Sequence, residues 1–197
     1  MEVTIIKYNA GNIYSVVHAL RRIGIEAVVT DDKERILAAD KVIFPGVGEA
    51  SSTMAYLREH KLDQLIVDLK QPTLGICIGL QLMCQHSEEG NAKCLGIFDT
   101  EVKKFISHNP FDKVPQMGWN TISDLKTSLF NPEMENHYVY YVHSFYAELC
   151  DQTIAMTDYL LPYSAALHRD NFYATQFHPE KSGDLGERIL QNFIAIR

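Results

Sequence analysis

The sequence predicts an α/β fold: a doubly wound, mainly parallel sheet with an antiparallel extension. Two observations predict it. Short apolar runs alternate with helix-period segments through the first half, the order that builds a parallel sheet covered on both faces. Strand-like stretches then outnumber helices in the second half. The chain of 197 residues carries no repeat, linker or low-complexity tract, so a single domain over 1–197 is expected.

The elements follow in order. Val3 to Tyr8 (VTIIKY) reads as a buried strand, with a turn at Gly11-Asn12. Ile13, Val16, Val17, Leu20 and Ile23 recur at helical spacing, and Gly24 ends that helix. Glu26 to Thr30 and Lys41 to Phe44 are the second and third strands, the latter stopped by Pro45-Gly46. Met54, Leu57, Leu62, Leu65, Ile66 and Leu69 predict helical cover. Pro72 to Ile76 is a fourth strand, and Leu80, Leu82 and Met83 open another helix. Beyond it, strands are expected over Thr100 to Ile106, Trp119 to Ile122, Tyr138 to Tyr146, Thr153 to Met156 and Phe172 to Phe177, with a loop from Asn109 to Pro115. Asp184 and Glu187 have the spacing of a capping box before the apolar face Leu185, Ile189, Leu190, Phe193 and Ile194.

Composition narrows the function. Hydrophobic residues make up 46% and charged residues 22%, ordinary globular usage. The net charge of −7 and the lack of a basic stripe argue against nucleic acid as a partner. No apolar run approaches a membrane span, and Met1-Glu2-Val3-Thr4 lacks the basic start of a signal peptide, so a cytoplasmic protein with no membrane partner is expected. Cys77, Cys84, Cys94 and Cys150 form no CxxC and no paired histidines follow at zinc-ligand spacing. Free thiols, no metal and no cofactor are therefore expected.

Three short segments carry chemistry. Gly75-Ile76-Cys77-Ile78-Gly79 lies where a buried strand meets a helix, the thiol counterpart of a G-x-S-x-G nucleophile elbow. The helix N-terminus there favours the thiolate, and the Ile78 N–H can face an oxyanion. On its own the motif equally fits a cysteine filling a tight core turn. Phe177-His178-Pro179-Glu180 ends an apolar strand and sets a carboxylate two positions from an imidazole, the base and orienting acceptor that a nucleophile needs. Alone, this segment reads more readily as a surface loop with Glu180 in solvent. Phe44-Pro45-Gly46-Val47-Gly48 places glycine-rich backbone at the carboxyl edge of the sheet, where N–H groups can turn toward an oxyanion. It lacks GxxxxGK[ST], so it is no P-loop.

In combination these segments resemble the class I (triad-type) glutamine amidotransferases. GICIGLQ at 75–81 and HPEKS at 178–182 carry the match, which covers essentially the whole chain. Within that class, YNAGNIYSV (8–16), FPGVGE (44–49), MGWN (117–120), YYVHSFYA (140–147) and HPEKSGDLG (178–186) are most similar to glutaminase subunits of imidazole glycerol phosphate synthases. The resemblance implies a flavodoxin-like fold and a triad of Cys77, His178 and Glu180. It implies oxyanion donors at Val47 and Ile78, and a glutamine pocket involving Gly46, Gln81, Glu89, His143 and Ser144. It also implies a heterodimer with a (β/α)8-barrel cyclase that receives ammonia through a channel, with Asn12, Trp119, Tyr140 and Lys181 at the interface. Read without the resemblance, Trp119 fits a core position somewhat better than an interface, and Lys181 fits solvated surface.

The resemblance further implies that glutaminase activity stays low until the cyclase and its substrate bind. The glycines flanking Val47 make a peptide flip feasible that would turn its N–H away from the oxyanion. Two other readings fit parts of the pattern. One is a glutaminase serving another synthase, or a free-standing γ-glutamyl hydrolase. The other is a non-catalytic binding module, against which the presence of all three triad residues argues.

Overall fold

The computed structural model describes residues 1–8 and 13–197. The expected Gly11-Asn12 turn, and with it the interface assignment of Asn12, lies outside the described residues. The first half alternates β1 (Val3–Ile6), α1 (Ile13–Arg22), β2 (Ala27–Thr30), α2 (Lys33–Ala38) and β3 (Lys41–Phe44). It continues through α3 (Ala50–Glu59), α4 (Leu62–Asp68), β4 (Thr73–Ile76) and α5 (Ile78–Met83). Successive strand side chains point to opposite faces, and here both faces are apolar. Ile5, Ile43 and Leu74 enter one buried cluster with α1; Ile6, Val42 and Phe44 enter another with α3, α4 and α5.

Local signals set the ends of these elements. Gly24, at φ 81°, ends α1 as expected: its N–H donates to Arg21 O (3.0 Å) and that of Ile25 to Leu20 O (2.9 Å). The first strand stops at Ile6 rather than Tyr8, and the second and fourth each start one residue later than expected. α2 is absent from the periodicity reading because it is short and buries only Ile36. It is set by the Asp32 carboxylate, which accepts from the N–H groups of Glu34 (2.9 Å) and Arg35 (3.1 Å). The cover expected from Met54 to Leu69 is two helices, broken at Lys61, whose φ of 54° is left-handed.

The second half comprises β5 (His86–Ser87), β6 (Ala92–Lys93), β7 (Glu101–Lys104), β8 (Gln116–Thr121), β9 (Tyr138–His143) and β10 (Phe145–Ala147). It ends with β11 (Thr153–Tyr159), β12 (Leu161–Arg169), β13 (Phe172–Thr175) and α6 (Gly183–Ala195). The described residues form one large sheet in the order β11-β12-β13-β4-β3-β1-β2. Neighbours from β13 to β2 are parallel, while β12 and β11 add antiparallel. The doubly wound sheet with its antiparallel extension is thus the fold observed. A smaller sheet, β10-β7-β5-β6, and the β8–β9 ribbon flank it.

Two expectations in this half need correction, and β12 adds a strand that the sequence reading lacks. The strand expected over Tyr138 to Tyr146 breaks at Ser144, so that β9 pairs with β8 and β10 with β7. β12 is an unexpected strand, its centre made of Ser164, Ala165 and Ala166, which are weak strand formers held by burial. The capping box is not formed. Ser182 is the N-cap of α6, with no side-chain cap bond, and Glu187 instead pairs with Arg22. Among the described residues no helix is long and apolar enough to cross a membrane.

Candidate active site

β4 runs into α5 through Cys77, whose φ of 53° and ψ of −107° are sparsely populated for an L-residue. The strain is held on both sides. The Cys77 N–H donates to Thr175 O at the end of β13 (2.7 Å), and its carbonyl accepts from Gln81 N–H in α5 (3.3 Å). Glycines let α5 sit against the end of β3. A Cβ on Gly79 would lie 2.3 Å from the Phe44 carbonyl oxygen, and one on Gly46 would lie 1.8 Å from Ile78 Cγ2. Gly46 therefore acts from beneath the site, as the seat for Ile78.

The base arrives from the opposite neighbour of β4. After β13, the His178 N–H donates to Tyr140 O (2.9 Å), and Pro179–Lys181 form one 3-10 turn. That turn brings the Glu180 carboxylate back to His178 Nδ1 at 2.7 Å, both side chains buried. Ser182 fastens the turn, its hydroxyl donating to His178 O (2.7 Å) and accepting from Tyr140 N–H (3.0 Å). His178 Nε2 is buried without a formed hydrogen bond. Burial alone would depress the basicity of His178, but the facing Cys77 sulfur and the Glu180 carboxylate outweigh it and push the pKa up to about 10. The site is thus built to hold His178 as an imidazolium.

A cleft of about 330 Å³ opens over these groups. Val47, Cys77, Ile78, Gln81, Glu89, His143, Ser144 and His178 all line it. Gly48, Pro115, Val142 and Phe145 complete the wall. Glu180 lies behind His178 rather than in the cleft. Gln81 is buried, and its Nε2 donates to Phe145 O (2.9 Å) and Gln176 Oε1 (3.0 Å). Both its N–H bonds are spent, so only its oxygen can meet a ligand. Glu89 accepts from the Ala50 N–H at the start of α3 (2.8 Å). Burial raises its carboxyl pKa, so a bound cation would be favoured there.

His143 differs from a simple substrate contact. Its Nδ1 faces Phe145 O at 2.7 Å and its Nε2 faces the Tyr163 hydroxyl at 3.3 Å. A carbonyl can only accept, so Nδ1 carries the proton and the ring braces the pocket wall. Burial lowers its pKa to about 4. The unfolded chain then holds one more proton than the folded chain between about pH 4 and 6.5, and stability falls as pH drops through that window. The loss is on the order of 3 kcal/mol. His178, raised, is protonated in both states below pH 6.5 and adds no slope there. Urea unfolding of His143→Phe from pH 7 to 4.5 is expected to show a flatter pH dependence than the parent, by roughly one proton. Equal slopes would contradict a neutral buried ring.

Of the expected interface residues, Trp119 and Tyr140 stand on the β8–β9 ribbon and Lys181 lies beside it. Trp119 pairs across it with Tyr140, the rings meeting edge to face at 5.9 Å, and Lys181 Nζ lies 5.9 Å from the centre of the Tyr140 ring. Trp119 is 56% exposed, so the core reading of this residue is wrong. Met117 and Tyr138 are exposed beside it.

One site residue is missing from the sequence reading. Gln176 is fully buried with Nε2 3.7 Å from Cys77 Sγ. A glutamine inside the apolar run Tyr173 to Phe177 was its signal, because a buried amide needs partners.

The family described as glutamine amidotransferase class-I matches residues 4–196. The imidazole glycerol phosphate synthase subunit HisH of Bacteroides fragilis is 62% identical over 196 residues, covering 100% of both chains. That of Bacteroides thetaiotaomicron is 61% identical with the same coverage. A solved glutamine amidotransferase superposes with a TM-score of 0.75 at 18% identity, over 98% of this chain and 97% of its own, and shares the fold.

Proposed function

The chain belongs to the class-I glutamine amidotransferase family, among the HisH subunits of imidazole glycerol phosphate synthase, and we propose that Cys77, His178 and Glu180 carry its chemistry. Its function is that of the glutaminase subunit in histidine biosynthesis. The observation that supports the triad is the joining, in one cleft, of a strained cysteine elbow and a buried histidine held 2.7 Å from a carboxylate. In this reading residues 1–197 work as one glutaminase domain, in the cytoplasm.

The Cys77 sulfur attacks the side-chain carboxamide carbon of glutamine. His178 takes the thiol proton and gives it to the leaving nitrogen, which departs as ammonia. Water, deprotonated by His178, then splits the γ-glutamyl thioester to glutamate and returns a proton to the sulfur. Glu180 keeps the imidazole in one tautomer and stabilises its charged form. The N–H groups of Val47 and Ile78 receive the oxyanion, each donor worth about 3–4 kcal/mol in the transition state. The Gln81 oxygen and the Glu89 carboxylate suit the α-ammonium end of the substrate.

The partner in this reading is a cyclase with a (β/α)8 barrel, forming a heterodimer over the ribbon face of Trp119, Tyr140 and Lys181. Enclosure there keeps ammonia from bulk water, where it would become unreactive ammonium. Trp119→Ala is expected to weaken the heterodimer by roughly 10- to 100-fold, an aromatic anchor being worth about 2 kcal/mol or more. Titration calorimetry with the cyclase subunit checks this, and unchanged affinity would move the interface elsewhere. Partner binding is also expected to bias the Val47 peptide toward the oxyanion. Glutamate release with cyclase alone, and with cyclase plus its substrate, tests that step. Equal rates would rule it out.

A further inference from the structure

We propose that Gln176 is a further catalytic residue, whose side-chain N–H steadies the Cys77 sulfur as an anion and joins it to the substrate pocket. The inference rests on the triad reading above. Gln176 is fully buried, anchored by its backbone N–H to Ala165 O (2.8 Å), two residues before His178. Its Oε1 accepts from Gln81 Nε2 at 3.0 Å, and its Nε2 lies 3.7 Å from Cys77 Sγ.

One backbone group fixes the direction of this chain of bonds. Phe145 O is an acceptor and nothing else, and it takes Gln81 Nε2 (2.9 Å) as well as His143 Nδ1 (2.7 Å). The Gln81 amide nitrogen must therefore face Phe145. Its second N–H then points at Gln176, which must answer with its oxygen. The remaining Gln176 nitrogen is left facing the sulfur, as a donor. Neither amide can be turned over without setting like groups against each other.

A donor on sulfur favours the anion over the thiol. The thiol proton is left with a weak acceptor, the Val142 carbonyl at 4.0 Å. The same chain gives the nucleophile information about the pocket. A ligand that pulls on the Gln81 oxygen tightens the bond to Gln176, and that polarises the N–H on the sulfur.

The test is alkylation of the full-length chain by iodoacetamide across pH 5 to 10, read site by site by peptide mass spectrometry. Cys84 and Cys94 are buried and Cys150 is half-buried, so Cys150 serves as the internal reference. Gln176→Glu keeps the shape and puts a carboxylate against the sulfur, while Gln176→Leu removes the donor. Both are expected to move the Cys77 alkylation midpoint upward, by about one pH unit for the glutamate. Glutaminase kcat in the complex is expected to fall about tenfold or more in both, with a smaller rise in KM through Gln81. If Gln176→Leu fails to fold, the isosteric Gln176→Glu decides. Parental midpoint and parental kcat in a folded Gln176→Glu would overturn this role alone. A parental Cys77 no more reactive than Cys150 would overturn the triad reading and this role with it.

Discussion

Cys77→Ala is expected to lower glutamine hydrolysis by on the order of a million-fold, while the synthase complex keeps its reaction when supplied with ammonia. In the proposed mechanism, alanine removes the atom that forms a bond to substrate. It leaves the elbow backbone, the Val47 and Ile78 amides and the pocket wall in place. Glu180→Gln is expected to cost less, because Nδ1 keeps an acceptor while the imidazolium loses its counter-charge. Adding His178→Ala to Cys77→Ala is expected to cost little more, since members of one triad act as a unit. Coupled glutamate release and ammonia-driven turnover, measured on the same complex, separate these effects. A Cys77→Ala chain that still hydrolyses glutamine would remove the assignment.

Gly79→Ala is expected to damage both stability and turnover without touching any triad side chain. Its methyl group would meet the Phe44 carbonyl oxygen at 2.3 Å, and backbone at the end of a fully buried strand cannot yield cheaply. Either α5 lifts away from β3, or the Pro45–Gly48 loop moves with the strand end. The stability cost is about 2–4 kcal/mol. Both movements displace the Ile78 amide relative to Cys77 and Val47, and a loss of about 100-fold in kcat follows when donors are misplaced. Denaturant unfolding and glutaminase assay on one preparation test the pairing. Parental values for both would contradict the tight helix seat.

The fold and the proposed triad are legible in the sequence for different reasons. Parallel strands buried on both faces give continuous apolar runs, and β1, β3 and β4 announce themselves in this way. β12 does not, because Ser164, Ala165 and Ala166 owe their extended form to neighbours on both sides. α2 is too short for a period, and only Asp32 before it marks the start. The break at Ser144 has no local signal. It comes from a change of partner, β9 serving the ribbon and β10 the smaller sheet, and this change exposes Ser144 and Phe145 to the cleft. Cys77, His178 and Glu180 stand in short motifs whose chemistry is local. Gln176, by contrast, acts through Gln81 and Phe145, 95 and 31 positions away, and only the folded chain brings them together. Trp119 shows the limit of a single-residue reading. An isolated tryptophan favours the core, yet strand alternation in the ribbon turns it outward opposite Tyr140.

The central claim is a covalent γ-glutamyl thioester on the Cys77 sulfur. Acid quenching of the complex during turnover of radiolabelled glutamine, followed by peptide mapping, tests it most directly. The account predicts label on the peptide that contains Cys77, released by hydroxylamine and absent from Cys77→Ala. Full glutamate production with label on a different residue, or with no labelled peptide and an active Cys77→Ala chain, would contradict it.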